Sequence, residues 1–334
     1  LKVTLKDIAE DTGYSISTVS RVLNGSDKIS SKTTRKIYQS AQRLNYPILN
    51  RDNDTYADKA LKNICIATEF RLGEFYSSLF FGLDRAAQKS RIHLSMTSLP
   101  QTFTQSLQML QRLVEDHYYE GLILYAPGFR REHYQKLFNT LPKNFPIVSN
   151  ALIENPVLPT VTFDGYSGGF MAAEHLYDQG YKKCGILKGP MEKPEARYRL
   201  NGFRDYITQT RDMELIWTYD GNFSFKSGQK AFEAFHNTAD RPRALFASND
   251  NMGHAFLEEA ISHHYHIPDD VALIGYDDMP ICRRHQPTIS SINTDYEKLG
   301  MVTMEKIKEV INNPVKRQGV LSLVPVTVEA REST

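Results

Sequence analysis

The sequence predicts an α/β protein in which a small helical unit precedes a longer body built from two parallel-sheet layers in series. Three observations carry that prediction. The first 46 residues hold three short helical patterns, and they carry eight basic against four acidic side chains, while the rest of the 334-residue chain has a net charge of −3. From Leu61 onward, short apolar runs alternate with helical patterns, which is how a parallel sheet flanked by helices reads. After Val161-Thr162-Phe163-Asp164 that alternation restarts.

Taken in order, Thr4 followed three residues later by Asp7 resembles a capping box, so the spacing predicts a helix from Leu5. Leu5, Ile8 and Ala9 share one face, and the small Ala9 lets a second helix cross closely. Gly13 supplies a left-handed turn. Ser15 caps the next helix, whose Val19, Val22 and Leu23 point inward while Ile16, Ser17, Thr18, Ser20 and Arg21 remain outside. A third helix is signalled by Ser30 as its cap and by Ile37, Ala41 and Leu44, and it stops before Pro47. Two short helices joined by a tight turn, in a unit of net charge +4, make a helix-turn-helix suited to double-stranded DNA, because phosphates must be neutralised by cations. The outer face of the second helix is expected in the major groove, with Ile16, Ser17 and Arg21 on bases and Thr18 and Ser20 on phosphates.

In the body, strands are predicted over 64–70, 92–97, 121–125 and 147–150, with helices between them such as 76–89 and 105–115. The second layer reads as helix 167–179, strand 184–188, helix 196–209, strand 244–248, helix 252–263 and strand 271–276. With 41% hydrophobic residues the chain can bury a sizeable core. It has no run of 18 apolar residues, and a charged amphipathic helix stands where a secretory signal would, so no membrane partner and a cytoplasmic location are expected. Cys65, Cys184 and Cys282 lie too far apart for CxxC chemistry, and their odd number argues against a disulfide scaffold.

The chain resembles the LacI/GalR family of sugar-responsive transcriptional repressors over nearly its full length. The resemblance rests on Thr4-Leu5-Lys6-Asp7-Ile8-Ala9, Ser17-Thr18-Val19-Ser20-Arg21-Val22-Leu23-Asn24, Arg199 with Gly202-Phe203, Ala247-Ser248-Asn249-Asp250, Ile274-Gly275-Tyr276-Asp277-Asp278 and Arg331-Glu332-Ser333-Thr334. It implies a two-lobed body of the periplasmic-binding-protein fold. The helix-turn-helix unit then spans 1–46 and a hinge 47–62. The first lobe covers 63–161 and 294–319, and the second covers 162–293 and 320–334. The chain is expected to cross between lobes near Val161, Asn293 and Gly319, with 321–328 as one strand finishing the second lobe.

In open α/β sheets, ligands bind beyond the carboxyl ends of the strands. Asn150, Asn249 and Asp277 occupy such ends, and Arg199 stands near the start of a helix. The resemblance implies that Arg199, Asn249 and Asp277 bond an effector's hydroxyls, that Phe223 packs against a sugar ring and that Tyr296 lines the same pocket. Read singly, Arg199 is equally an ion-pair partner, Asn249 a helix cap and Asp277 a turn former. From the first lobe, Glu69, Phe70, Tyr76 and Tyr125 follow strand ends and are candidates to complete the cleft.

The hinge departs from the family pattern. The stretch Pro47-Ile48-Leu49-Asn50-Arg51-Asp52-Asn53-Asp54-Thr55-Tyr56-Ala57-Asp58 has no Ala-Arg pair, and Tyr56 stands where the family's leucine enters the minor groove, with Leu61 as the other candidate wedge. His263-His264-Tyr265-His266 reads as a solvated connection, so no metal site is assigned. Gly165, Gly168 and Gly169 lack the P-loop spacing. Asp277-Asp278 has no nucleophile or histidine pattern beside it, so neither an enzyme nor a cofactor is expected. The expected function is a sugar-controlled repressor that binds operator DNA as a homodimer, with galactose or a galactoside as effector. A sugar-binding transport protein and a regulator answering to a purine corepressor are the alternatives.

Overall fold

A computed structural model of the chain describes residues 3–23, 29–44, 46, 62–116, 118–313 and 318–334. The chain divides into two compact units at residue 60.

The first unit holds α1 (Leu5–Thr12), α2 (Ile16–Leu23) and α3 (Ser31–Arg43). Thr4 donates both its N–H and its hydroxyl to the Asp7 carboxylate, at 2.7 and 2.8 Å, which fixes the start of α1. Gly13 ends that helix in the left-handed region at φ 75°, its N–H on the Ala9 carbonyl. Ser15 and Ser30 cap the other two helices, accepting from the N–H groups of Thr18 and Thr33 at 3.2 and 3.3 Å. Ile8, Ala9, Val19, Val22, Ile37 and Ala41 form the core, with Leu5, Leu23 and Leu44 at its edge. Asp11 ties α1 to α3 by accepting from Ser40 and Arg43. The expected hinge over 47–61, with Tyr56 and Leu61, lies outside the described residues.

The second unit begins with β1 (Lys62–Thr68), α4 (Glu74–Lys89), β2 (Ile92–Ser98), α5 (Phe103–Glu115), β3 (Gly121–Tyr125), α6 (Arg131–Thr140), β4 (Ile147–Ser149) and β5 (Thr160–Phe163). It continues with α7 (Gly165–Asp178), β6 (Lys183–Lys188), α8 (Pro194–Gln209), β7 (Glu214–Asp220), α9 (Phe225–His236), β8 (Ala244–Ala247), α10 (Asp250–Ser262), β9 (Ala272–Asp277), a 3-10 turn (Pro280–Arg283) and β10 (Ser290–Asn293). Last come α11 (Tyr296–Asn312), β11 (Leu321–Val324) and β12 (Thr327–Glu329). Two six-stranded sheets result, ordered β11-β5-β4-β3-β1-β2 and β12-β10-β9-β8-β6-β7. All pairings are parallel except β10 with β12. Helices cover both faces, so the central strands are buried throughout; every residue of β8 and β9 is buried.

The chain crosses between lobes three times. α7 follows β5 but packs on β8, β9, β10 and β12, and α11 follows β10 but packs on α4, β3, β4 and β5. The third crossing differs from expectation. Residues 321–328 are two strands, and Leu321–Val324 pairs in parallel with Thr160–Phe163 of the first lobe. Only Thr327–Glu329 reaches the second sheet, antiparallel to β10. Pro325 separates them, because a residue without an N–H cannot continue a ladder. The 320–334 boundary therefore moves to about residue 325, and Thr162 and Phe163 stay in the first sheet with the rest of β5.

Close helix crossings set the position of each lobe's first helix. A Cβ on Gly82 would lie 2.3 Å from the Tyr296 carbonyl oxygen, and one on Gly202 would lie 1.9 Å from that of Tyr166. The pairs α4/α11 and α7/α8 thus touch backbone to backbone. Cys65, Cys184 and Cys282 are buried free thiols. No helix among the described residues is long and apolar enough to cross a membrane.

Candidate functional site

In the first unit, α2 presents Ile16, Ser17 and Arg21 outward, and Ile16 is 49% exposed. Thr18 and Ser20 are half-buried at the margin of that face. The hydroxyl of Ser15 is shared with those of Ser17 and Thr18 at 2.9 and 2.8 Å, so the first turn of α2 is held by its own cap. Tyr56, the remaining candidate for DNA contact, is outside the described residues.

In the second unit, a cavity of about 700 Å³ opens between the lobes, at the carboxyl ends of the parallel strands. Of the ten cleft candidates, it brings together Arg199, Phe223, Asn249, Asp277, Tyr296, Asn150, Tyr125 and Tyr76, and it leaves Glu69 and Phe70 outside its lining. Phe70 is a correction. It stands 53% exposed and meets Phe80 edge-on at 6.1 Å, outside the cavity lining. β1 ends at Thr68, and α4 does not begin until Glu74, so the intervening exposed segment carries Phe70 away from the strand end.

Arg199 is the centre of the second-lobe wall. One guanidinium nitrogen donates to the Ser248 carbonyl at 2.5 Å and another to Asp277 Oδ1 at 3.3 Å. The guanidinium carbon lies 3.6 Å from the Tyr276 ring centroid. Its Nε is buried without a hydrogen-bond partner among the described residues. Asp277 sits at φ 109°, a strained position that turns its carboxylate onto Arg199. Burial pushes the Asp277 carboxyl up from its usual range, and Arg199 pulls it back in part. Asp250, buried beside it, is raised by burial and then by the charge of Asp277; its oxygens accept from Ser291 Oγ and the Met279 N–H at 2.6 and 2.7 Å.

Asn249 does what the alternative reading described. Its Oδ1 caps α10 by accepting from the Met252 N–H at 3.1 Å, and its Nδ2 donates to the Phe223 carbonyl at 3.2 Å. Asn251 holds the same carbonyl at 3.0 Å, which keeps Phe223 at φ 69°. The Phe223 ring lies against Gly189, where a Cβ would approach it to 2.3 Å, with the Lys193 ammonium and the Arg199 guanidinium 5.8 and 5.7 Å from its centroid. Asn150 spends its Nδ2 on the Val161 carbonyl and the Thr303 hydroxyl, at 3.0 and 2.8 Å, and its Oδ1 is buried without a partner among the described residues.

An aromatic cluster makes the first-lobe wall: Phe75 meets Tyr125 at 5.8 Å and Tyr296 at 6.0 Å, while Tyr76 meets Tyr125 at 6.0 Å. Burial holds the phenols of Tyr125 and Tyr296 well above their usual range, so both remain hydroxyl donors. Sequence reasoning missed Phe75, Lys193 and Glu195. Phe75 adjoins Gly73 at the start of α4, a signal available from the first strand-to-helix turn. Lys193 caps α8 in backbone position only, and Glu195 bridges the lobes by accepting from the Leu152 N–H at 3.1 Å.

Asp278 is not a cleft residue. It accepts from Arg283 and Arg331 at 2.6 Å each and from Asn293 at 2.8 Å, so it pins three segments of the second lobe together. His263, His264 and His266 are exposed, and His266 pairs with Asp270.

Residues 4–47 match the family described as bacterial regulatory proteins, lacI family, and residues 173–334 match the periplasmic binding protein-like domain. The chain is 24% identical to the catabolite control protein A of Priestia megaterium, over all of both proteins. It is 26% identical to the ribose operon repressor of Haemophilus influenzae, over 99% of this chain and 98% of that protein. A Lac repressor structure bound to ONPG in the repressed state superposes with a TM-score of 0.78 at 24% identity, covering both chains in full. The chain thus belongs to the LacI family, a helix-turn-helix unit followed by a periplasmic-binding-protein-like domain, and it is a transcriptional regulator.

Proposed function

We propose that this regulator binds a double-stranded operator through the outer face of α2, acts as a homodimer on two half-sites, and is controlled by a small sugar held in the cleft. One observation carries the sugar reading. Side chains from both lobes that carry hydrogen-bonding groups, Asn150, Glu195, Arg199, Asn249 and Asp277, line one cavity together with aromatic rings. Convergent donors and acceptors beside flat apolar surface fit a ligand that brings its own hydroxyls. Phe223 and Phe75 supply flat apolar surface for the C–H face of a ring. Asp277 retains its Oδ2 as an acceptor, with no donor from the described residues.

Control follows from unequal binding. The sugar shifts the balance between two lobe arrangements only by its different affinity for them, and a near-complete switch takes about 5.5 kcal/mol. Dimerisation follows from the pairing of two half-sites by a twofold-symmetric reader.

Galactose and galactosides are the first candidates. A thermal-shift screen of mono- and disaccharides, with purine bases alongside, is expected to give a saccharide that raises the melting temperature of the wild type and leaves Asp277→Ala unchanged. The same sugar is then expected to change the affinity for operator DNA selected from random duplexes. A hit that stabilises Asp277→Ala equally, or a purine hit alone, would overturn the sugar assignment.

A further inference from the structure

We propose that His254, Glu258 and His285 form a binding site for one divalent transition-metal ion, of the zinc class, on the wall of the cleft. α10 places His254 and Glu258 one turn apart on a single face, and His285 arrives from the loop after the 3-10 turn, which packs on that helix. Glu258 Oε1 stands 3.5 Å from His254 Nε2 and 3.4 Å from His285 Nε2. All three donor atoms lie within 4.8 Å of one another.

Those distances have a simple meaning. Ligands about 2.0–2.1 Å from zinc at tetrahedral angles stand about 3.3 Å from each other. Two edges of such a polyhedron are therefore already in place, and the third closes by small rotations of the imidazoles. Two imidazoles and one carboxylate are a zinc-type donor set, whereas calcium and magnesium take oxygen ligands. Three protein ligands leave a fourth position open.

A second observation points to an occupant. His254 is 6% exposed, and its Nε2 is buried with no hydrogen-bond partner among the described residues, although it faces the other two donors. A metal ion satisfies that nitrogen where the protein does not. His254 also lines the cleft.

The position has a mechanical consequence. Glu74 of the first lobe holds the same loop, accepting from the Ile281 N–H and from Arg284, both at 2.8 Å. An ion joining His285 to α10 fixes the second-lobe segment that Glu74 grips across the cleft. This inference does not depend on which effector the cleft takes.

The test uses the full chain without an affinity tag, stripped with a chelator and titrated with Co²⁺. The expected result is visible absorption of a four-coordinate site saturating at one equivalent, displaced by Zn²⁺, with Zn²⁺ raising the melting temperature. His285→Ala and Glu258→Gln change residues at the rim of the site and are expected to abolish the absorption. They are also expected to weaken Zn²⁺ binding beyond the roughly 10–100-fold that losing a supporting partner costs. Far-UV circular dichroism checks that both variants remain folded. A variant carrying His263→Ala, His264→Ala and His266→Ala is expected to retain the site. The proposal is overturned by absence of the absorption, by its survival in both rim variants, or by its loss in the triple histidine variant.

Discussion

At position 199 a single guanidinium donates to two neighbours, while its buried Nε has no partner among the described residues. Replacing it removes the counter-charge of Asp277, which is itself buried. Breaking a buried pair from one side costs about 3–5 kcal/mol, because the remaining charge has no solvent to turn to. Arg199→Ala is therefore expected to lower the unfolding free energy by about that amount in urea denaturation. Arg199→Lys restores the charge without the planar fork or the stack on Tyr276, so its midpoint is expected between the two. Strand-end logic made Asp277 and Asn249 legible from the sequence, whereas Arg199, which lies in a helix, was picked out through the family resemblance. It did not reveal that Asn249 is occupied as a cap, or that Asn150 is tied to Thr303, a residue 153 positions later. Such commitments depend on partners distant along the chain. Phe70 failed for a local reason: β1 stops two residues short of it.

Among the elements, the helix pairs α7/α8 and α4/α11 rest on glycines rather than on interlocking side chains. A Cβ at Gly202 would meet the Tyr166 carbonyl, and one at Gly169 would meet the Arg199 carbonyl, each at 1.9 Å. Backbone cannot rotate aside as a side chain does. Gly202→Ala is expected to force α7 and α8 apart at a cost of about 1–3 kcal/mol, read as a lowered denaturation midpoint. Because α8 carries Arg199, the same variant is expected to bind the effector more weakly even at temperatures where it stays folded, which isothermal titration would register. The buried strands β3, β4, β8 and β9 were readable from their apolar runs, and the three helices of the first unit from their caps. α6 and α9 were not read, since each lies in a stretch with mixed polarity. β7 is an edge strand with alternating burial, and a short half-exposed run gives a weak signal. The split of 321–328 turned on Pro325, whose effect on the ladder was not given its weight.

Across the whole molecule, the two buried carboxylates Asp250 and Asp277 set a pH dependence. Each has a folded pKa above the ordinary 3.8, raised chiefly by burial. The folded state then holds a proton more tightly than the unfolded state, so the contribution of these two groups to stability is fully present below the ordinary carboxylate range and is lost as pH rises through the raised value. Their contribution to the melting temperature of the second unit is expected to fall between about pH 4 and about pH 8, and Asp250→Asn is expected to flatten that slope in differential scanning calorimetry. A slope that is unchanged in the variant would assign the dependence to other groups. The two-layer architecture at this scale was legible because each layer repeats the same alternation. The route by which the chain closes both sheets was not, because only pairing partners decide it.

That route has a bearing on how the protein is made. The first sheet receives α11 and its edge strand β11 only when residue 324 has been synthesised, so an emerging polypeptide cannot finish its first lobe until every strand of the second sheet but β12 has been made. The helix-turn-helix core draws only on residues 5–46 and is available to fold soon after it leaves the ribosome. Translation therefore yields a folded helix-turn-helix unit well ahead of the clamshell that follows it, and a message broken late in its coding region would release that unit without a finished cleft.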